Sequence, residues 1–276
     1  MKIDLSSIVW LFFALMLLQP ILTTRWYASQ RARTIRAIEK LHGSRVITMI
    51  HRQEKASVFG VSVSPHIDLE DAQTVIAAIK ETPEDIPIDF VIHTPGGLVL
   101  AAMQIARALQ AHKAKVTVYV PVFAMSGGTL IALAADEIVL GEFSVLGPID
   151  PQIGALPAAS IVKARDAKPI ERVSDLTLVL ADLSEKAIEQ VKRGAAELMA
   201  PRKDTKAAEA LADELAGGRW THDYALTAIE AGKLGLPIKS AMPLEVMRLM
   251  TLYPQPVQAS RVEYLPIEFP RQRRLV

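Results

Sequence analysis

Ile88-Asp89-Phe90-Val91-Ile92-His93-Thr94-Pro95-Gly96-Gly97 reads as a strand running straight into a glycine turn, and Val99 to His112 directly after it has helical apolar spacing. The unit recurs on both sides of this stretch. Val46 to His51 and Ser57 to Val63 are β-rich runs, and Asp68 to Lys80 carries Leu69, Ala72, Val75, Ile76 and Ile79 behind an Asp68 cap. Lys115 to Val120 is a further strand, Ser126 to Ala135 a helix of small residues, and Glu137 to Leu140 a short strand. Strands separated by helices imply crossover connections and a largely parallel sheet covered on both faces. The fold class is α/β. Longer helices follow over Ser174 to Glu197 and Asp204 to Leu215, and another is expected to start at a Thr221 cap and close at Gly232 or Gly235.

The composition narrows the chemistry. In 276 residues there is no cysteine, half the residues are hydrophobic, and 31 basic against 30 acidic side chains leave a net charge of +1. Thiolate metal sites, disulfides and a cysteine nucleophile are excluded. A near-neutral chain is also a poor general binder of nucleic acid, whose affinity rests on excess basic charge. His51, His66 and His222 show no metal spacing, and no dinucleotide fingerprint of the Gly-x-Gly-x-x-Gly type occurs.

From Leu5 to Thr24 no residue is charged. About 20 apolar residues in a helix reach across some 30 Å of hydrocarbon, so residues 1–27 are expected to form one N-terminal transmembrane helix. Arg25, Arg31, Arg33, Arg36 and Lys40 follow the run and only Lys2 precedes it, which orients the main domain toward the cytosol, at the inner membrane. A cleaved signal peptide fits less well, because Asp4 sits where positive charge belongs and no small-x-small site follows. Residues 28–44 read as an amphipathic linker helix, 45–240 as the catalytic domain, and the proline-containing residues 241–276 as an extended C-terminal arm.

Two glycine turns follow strands. At Pro95-Gly96-Gly97 the missing Cβ atoms allow a ligand oxygen to approach backbone N–H groups, which makes an oxyanion hole; a plain tight turn is the simpler alternative. At Ala124-Met125-Ser126-Gly127-Gly128-Thr129 a serine stands at the start of a helix with small neighbours, a geometry suited to a nucleophile, or to an ordinary N-cap. Loops at the carboxyl ends of strands can face each other, and the pair is more telling than either turn alone.

Together with Ala134-Ala135-Asp136-Glu137-Ile138, Ser144-Val145-Leu146-Gly147-Pro148-Ile149, Pro157-Ala158-Ala159-Ser160 and Gly218-Arg219-Trp220-Thr221, these turns resemble the Clp-fold serine proteases. The likeness covers residues 45 to 240 and is nearest to the signal-peptide-peptidase-A branch and its serine dehydrogenase proteinase group. That resemblance implies a Clp/crotonase-like spiral of ββα units, peptide-bond hydrolysis through a seryl acyl-enzyme, no cofactor, and a homo-oligomer. It implies Ser126 as nucleophile and the N–H groups of Gly97 and Gly127 as the oxyanion hole. Gly96, Gly128 and Asp150 are taken as substrate-side groups, Asp150 to orient a base or a substrate amine, with a helix-capping or turn role as the alternative. The Clp peptidase's histidine base has no counterpart, since no histidine lies between His112 and His222. The signal-peptide-peptidase branch uses a lysine, and here Lys168 is preferred over Lys163 on spacing. His93 is a weaker candidate base; His51, His66 and His222 read as ordinary polar residues. The expected function is a membrane-anchored serine peptidase with polypeptide and lipid as partners. A crotonase-like acyl-CoA enzyme and a catalytically silent membrane scaffold are the alternatives.

Overall fold

The structure, a computed structural model, describes residues 5–51, 56–58, 61–63 and 66–253. Five parallel strands form the main sheet, in the order Arg45–Ile50, Ile88–His93, Val116–Val120, Glu137–Leu140 and Ile238–Lys239. Every residue of Ile88–His93 and Val116–Val120 is buried, the pattern of central strands packed on both faces. The strands follow one another across the sheet in chain order, so the sheet has no point where the order reverses. A ligand site must therefore be built by something other than a switch-point crevice.

Alternate residues of each strand serve two layers. Ile47, Met49, Ile88, Phe90, Ile92, Val118, Val120, Ile138 and Leu140 face the larger core, covered by the helices Leu69–Glu81, Val99–Gln110 and Gly127–Ala132 and, beyond them, Asp175–Met199 and Thr205–Ala216. Asp68 caps the first of these in a reciprocal capping box with Asp71, and Ala72, Val75 and Ile79 form its buried stripe. Val46, Val91, Tyr119 and Val139 face the other way, against Ile35 and Ile38 of the N-terminal helix and Val246 and Leu249 of the helix Leu244–Thr251.

The N-terminal helix is continuous from Leu5 to His42, with Pro20 inside it and no break between the segments read as anchor and linker. Its C-terminal end is fastened to the sheet. Asp89, 5% exposed, receives His42 Nδ1 at 2.6 Å and Ser44 Oγ at 2.8 Å. Arg31 donates to the carbonyl of Leu252 and lies over the Tyr253 ring, and the Tyr253 hydroxyl meets Thr48 Oγ1 at 2.8 Å. The segments read as linker and as C-terminal arm thus build the second helical layer together, up to residue 253. The rest of the arm, 254–276, lies outside the described residues. Among the described residues no helix is long and apolar enough to cross a membrane. The side chains of residues 1–15 and of residue 17, which carry most of the apolar run, lie outside the description.

Three local expectations are corrected. The run Ser57 to Val63 is not one strand: Ala56–Val58 and Val61–Val63 pair antiparallel with each other and stay off the main sheet. The loop bearing Ser126 does not follow Val116–Val120 directly. A separate two-residue strand, Phe123–Ala124, intervenes and joins a small sheet with Val145–Leu146 and Leu226–Thr227. Finally, the late helix starts at Ala228 and not after Thr221, because Thr227 and Glu230 close a capping box while Leu226 and Thr227 pair with Leu146 and Val145.

Ile38 is fully buried under the second layer. Ile38→Ala should therefore lower the unfolding free energy by about 2–5 kcal/mol, the usual cost of a large-to-small core change. Urea denaturation checks this; an unchanged midpoint would mean that the helix is only a tether.

Candidate active site

The first glycine turn is held by Ile67. The Ile67 N–H donates to the Gly96 carbonyl at 2.8 Å, and the Ile67 carbonyl accepts the Leu98 N–H at 2.9 Å. This approach needs glycine: a Cβ on Gly97 would lie 2.3 Å from the Ile67 oxygen. The Gly96–Gly97 peptide is trans, so its N–H points opposite to its C=O. With the Gly96 carbonyl directed at Ile67, the Gly97 N–H is turned to the other side of the loop.

That other side holds the second turn. Thr94 donates its N–H to the Phe123 carbonyl and accepts the Met125 N–H at 3.0 Å, a parallel bridge that stitches the two loops together. A Cβ on Gly96 would stand 2.7 Å from Ser126 Cβ, 2.9 Å from the Met125 oxygen and 3.3 Å from Gly127 N. A Cβ on Gly127 would stand 3.5 Å from Gly97 N. The two turns approach this closely because Gly96 has no side chain where it faces Ser126 and Gly127. Gly97 N accordingly lies close to Gly127, the residue after Ser126.

Ser126 has φ +50° and ψ −115°, the sole positive φ among the described non-glycine residues. Backbone of this kind costs on the order of 1–3 kcal/mol and persists where neighbours over-determine it. Its hydroxyl makes no capping bond to the helix it precedes, which removes the N-cap reading, and the residue is partly exposed. Gly127 is the first residue of that helix, so its N–H has no acceptor within it.

Thr129, fully buried, locks the turn from beneath. Its Oγ1 lies 2.7 Å from the Ala124 carbonyl and 2.8 Å from that of Gly147, and accepts the Gly147 N–H at 3.0 Å. Gly128 packs against Thr94 so closely that a Cβ there would meet Thr94 Cγ2 at 2.5 Å.

The remaining expected residues are not joined to this cluster by a described hydrogen bond. Lys163 lies on the helix Ala158–Asp166 and Lys168 just beyond it, both exposed. Asp150 is 2% exposed and is bound by Gln152 Nε2 at 2.7 Å and His222 Nδ1 at 2.9 Å. The bond to Asp150 raises the His222 pKa above its ordinary 6.5, against the opposing effect of burial. His222, Thr129 and His51 are the structured polar residues that sequence reading passed over. A histidine far along the chain gives no local sign that a buried carboxylate will need it.

The sequence profile of the ClpP-like SDH-type serine proteinases matches residues 1–274. The chain belongs to that family. Two uncharacterized proteins of Methanocaldococcus jannaschii are similar to this SDH-type proteinase along nearly its whole length. One is 47% identical over 270 residues, covering 98% of this chain and 92% of its own. The other is 48% identical over 262 residues, covering 95% and 92%. Among solved structures, a mutant of the membrane-bound stomatin-specific protease 1510-N aligns with 67% of this SDH-type chain and 79% of its own, at 21% identity and a TM-score of 0.44.

Two measurements probe the site's physics. Ser126→Gly, freed of the backbone strain, should exceed Ser126→Ala in unfolding free energy by roughly 1 kcal/mol; equal urea midpoints would show that no strain is stored there. The second concerns His222. A raised folded-state pKa gives stability that is complete below the unfolded value and is lost as pH rises through the folded value. The stability lead of wild type over His222→Gln should therefore narrow as the pH is raised above about 6.5, read from denaturation midpoints across a pH series.

Proposed function

We propose that this SDH-type proteinase hydrolyses peptide bonds through a Ser126 acyl-enzyme, with the N–H groups of Gly97 and Gly127 holding the carbonyl oxygen as it becomes an oxyanion. The observation that carries the reading is the contact of Gly96 with a strained, uncapped Ser126, with Gly97 N beside Gly127. A hydroxyl beside two main-chain donors, fixed before substrate arrives, is the arrangement that stabilises a tetrahedral intermediate without reorganisation. Gly96 and Gly128 keep the walls of the space free of side chains, and Asp150 is assigned to the substrate side.

In the first step Ser126 Oγ bonds to the scissile carbonyl carbon and its proton passes to Lys168 Nζ. That proton then leaves with the amine, and water cleaves the ester. Lys168 is exposed in the isolated chain. To accept a proton it must be dehydrated, which a bound polypeptide or a second copy of the chain accomplishes by covering it. Lys163 is the competing acceptor.

The proposal also places the N-terminal helix in the cytoplasmic membrane, with the proteinase domain in the cytosol. Exposed Met16, Leu18, Ile21, Leu22 and Trp26 support this, since the helix displays them where no protein packs. The partners are then polypeptide, lipid and further copies of the chain.

A fluorophosphonate probe should label wild type and not Ser126→Ala, read by intact-mass spectrometry. Lys168→Ala should slow labelling at least tenfold, in the range of a lost general base, about 10²–10⁴-fold, or somewhat below it, and Lys163→Ala should not. Labelling of Ser126→Ala at the wild-type rate would end the peptidase reading. Slowed labelling in Lys163→Ala alone would move the proton acceptor to that residue.

A further inference from the structure

Beneath the oxyanion turn runs a line of polar contacts that the proposed chemistry does not use. Asp71 Oδ2 lies 3.2 Å from His51 Nε2, and His51 Nδ1 lies 2.8 Å from Thr94 Oγ1. Thr94 Oγ1 in turn accepts the Gly96 N–H at 3.2 Å. Thr94 is fully buried and His51 is 9% exposed. The hydrogen-bond directions are mutually consistent. With Nε2–H donated to the Asp71 carboxylate, the lone pair of the imidazole stands on Nδ1 and accepts the Thr94 hydroxyl proton, which leaves the Thr94 oxygen to accept from Gly96.

We propose that His51 is a positioning residue for the oxyanion hole, acting through Thr94 to fix the tilt of the Gly96–Gly97 peptide. The inference rests on the reading of Gly97 N–H as an oxyanion donor. Its logic is a balance of two ties. On one side the Ile67 N–H pulls on the Gly96 carbonyl; on the other the Thr94 hydroxyl holds the Gly96 amide. Gly96 and Gly97 have φ of +105° and +155° and no side chains, so they contribute little stiffness of their own. The direction of the Gly97 N–H is therefore set by what grips the residue before it.

Left alone, the Thr94 hydroxyl has a second acceptor within reach, the Gly96 carbonyl at 3.4 Å. Donation there would compete with Ile67 for the same oxygen. The imidazole takes the Thr94 proton away from that carbonyl and keeps the hydroxyl oriented. Asp71 holds the ring in the required tautomer while its carboxylate also accepts the Asp68 N–H in the helix cap at 3.0 Å. The His51 backbone is anchored independently, its N–H donating to the His93 carbonyl at 2.7 Å, so the ring can be altered without freeing the strand end.

The test is the kinetics of fluorophosphonate acylation in the full chain, separated into the maximal rate of inactivation and the probe concentration at half that rate. His51→Ala should lower the maximal rate by roughly tenfold or more, short of the ~10²–10³ lost with a whole donor, and leave the half-saturating concentration within about twofold. His51→Asn puts a carbonyl oxygen near the place of Nδ1 and should recover most of the rate. Thr94→Val, matched in shape, should reproduce the loss should His51→Ala fail to fold by circular dichroism. Wild-type maximal rates in a folded His51→Ala or Thr94→Val protein would overturn the positioning role while Ser126 labelling leaves the peptidase reading intact. A loss that His51→Asn does not recover would also overturn it. A wild-type chain that the probe does not label overturns both readings together.

Discussion

A methyl group at Gly96 would come within 2.7 Å of Ser126 Cβ, and one at Gly128 within 2.5 Å of Thr94 Cγ2. The absence of these atoms is the condition on which the site depends, because each turn offers a glycine where the other brings up a side-chain carbon. Once they touch, ordinary main-chain hydrogen bonding finishes the arrangement. The Thr94–Met125 and Thr94–Phe123 bonds extend the pairing of strands past their ends, and the bridge between Thr94 and Ala124 makes the small sheet continuous with the Ile88–His93 strand. The chemistry is thus placed by the backbone of the fold, and side chains serve mainly to keep that backbone where it is.

Three side chains do most of this keeping. Thr129 binds the Ala124 and Gly147 main chain together, His51 and Thr94 hold the amide of Gly96, and Ile67 holds its carbonyl through its own backbone. All of them are buried, where a hydrogen bond lost without replacement leaves a desolvated polar group and costs about 1–3 kcal/mol. Such a surround can sustain the unfavourable φ of Ser126, since relaxing the serine would break several of these contacts at once. Strain at Ser126 and polar saturation around it are two aspects of one design.

Much of this was legible along the chain. Apolar periodicity located the strands through Phe90, Val118 and Ile138, and both glycine turns stood out because the need for glycine is local and appears as local sequence. What stayed hidden depends on partners remote in sequence. Phe123–Ala124 is too short to show a period, and is a strand only because Val145–Leu146 lies beside it. Ala56–Val58 and Val61–Val63 satisfy one another and not the sheet, a choice that β propensity alone does not encode. His51 and His222 look alike in sequence, and each acquires meaning from a carboxylate, Asp71 or Asp150, that only the fold brings near. Lys168 was placed by analogy of spacing, and spacing along a chain is silent on whether water surrounds the amine.

The N-terminal helix links these themes to the proposed membrane setting. At 1.5 Å per residue its 38 residues extend about 57 Å, and the end around Ile35, Ile38 and His42 is the part packed against the sheet among the side chains described. The remainder projects and displays Leu18, Ile21, Leu22 and Trp26 to its surroundings. Its fastening point is Asp89, which lies on the same strand that ends at His93 and opens into the Gly96–Gly97 turn. A helix that is continuous from apolar segment to sheet transmits orientation as well as position. If the projecting end is held in lipid, the site is held with it at a set height and facing, so that the segments of substrate able to reach Ser126 are selected by geometry before any pocket contact is made. A flexible linker in the same place would tether the domain without aiming it, and the packing of Ile38 under the sheet is what separates the two cases.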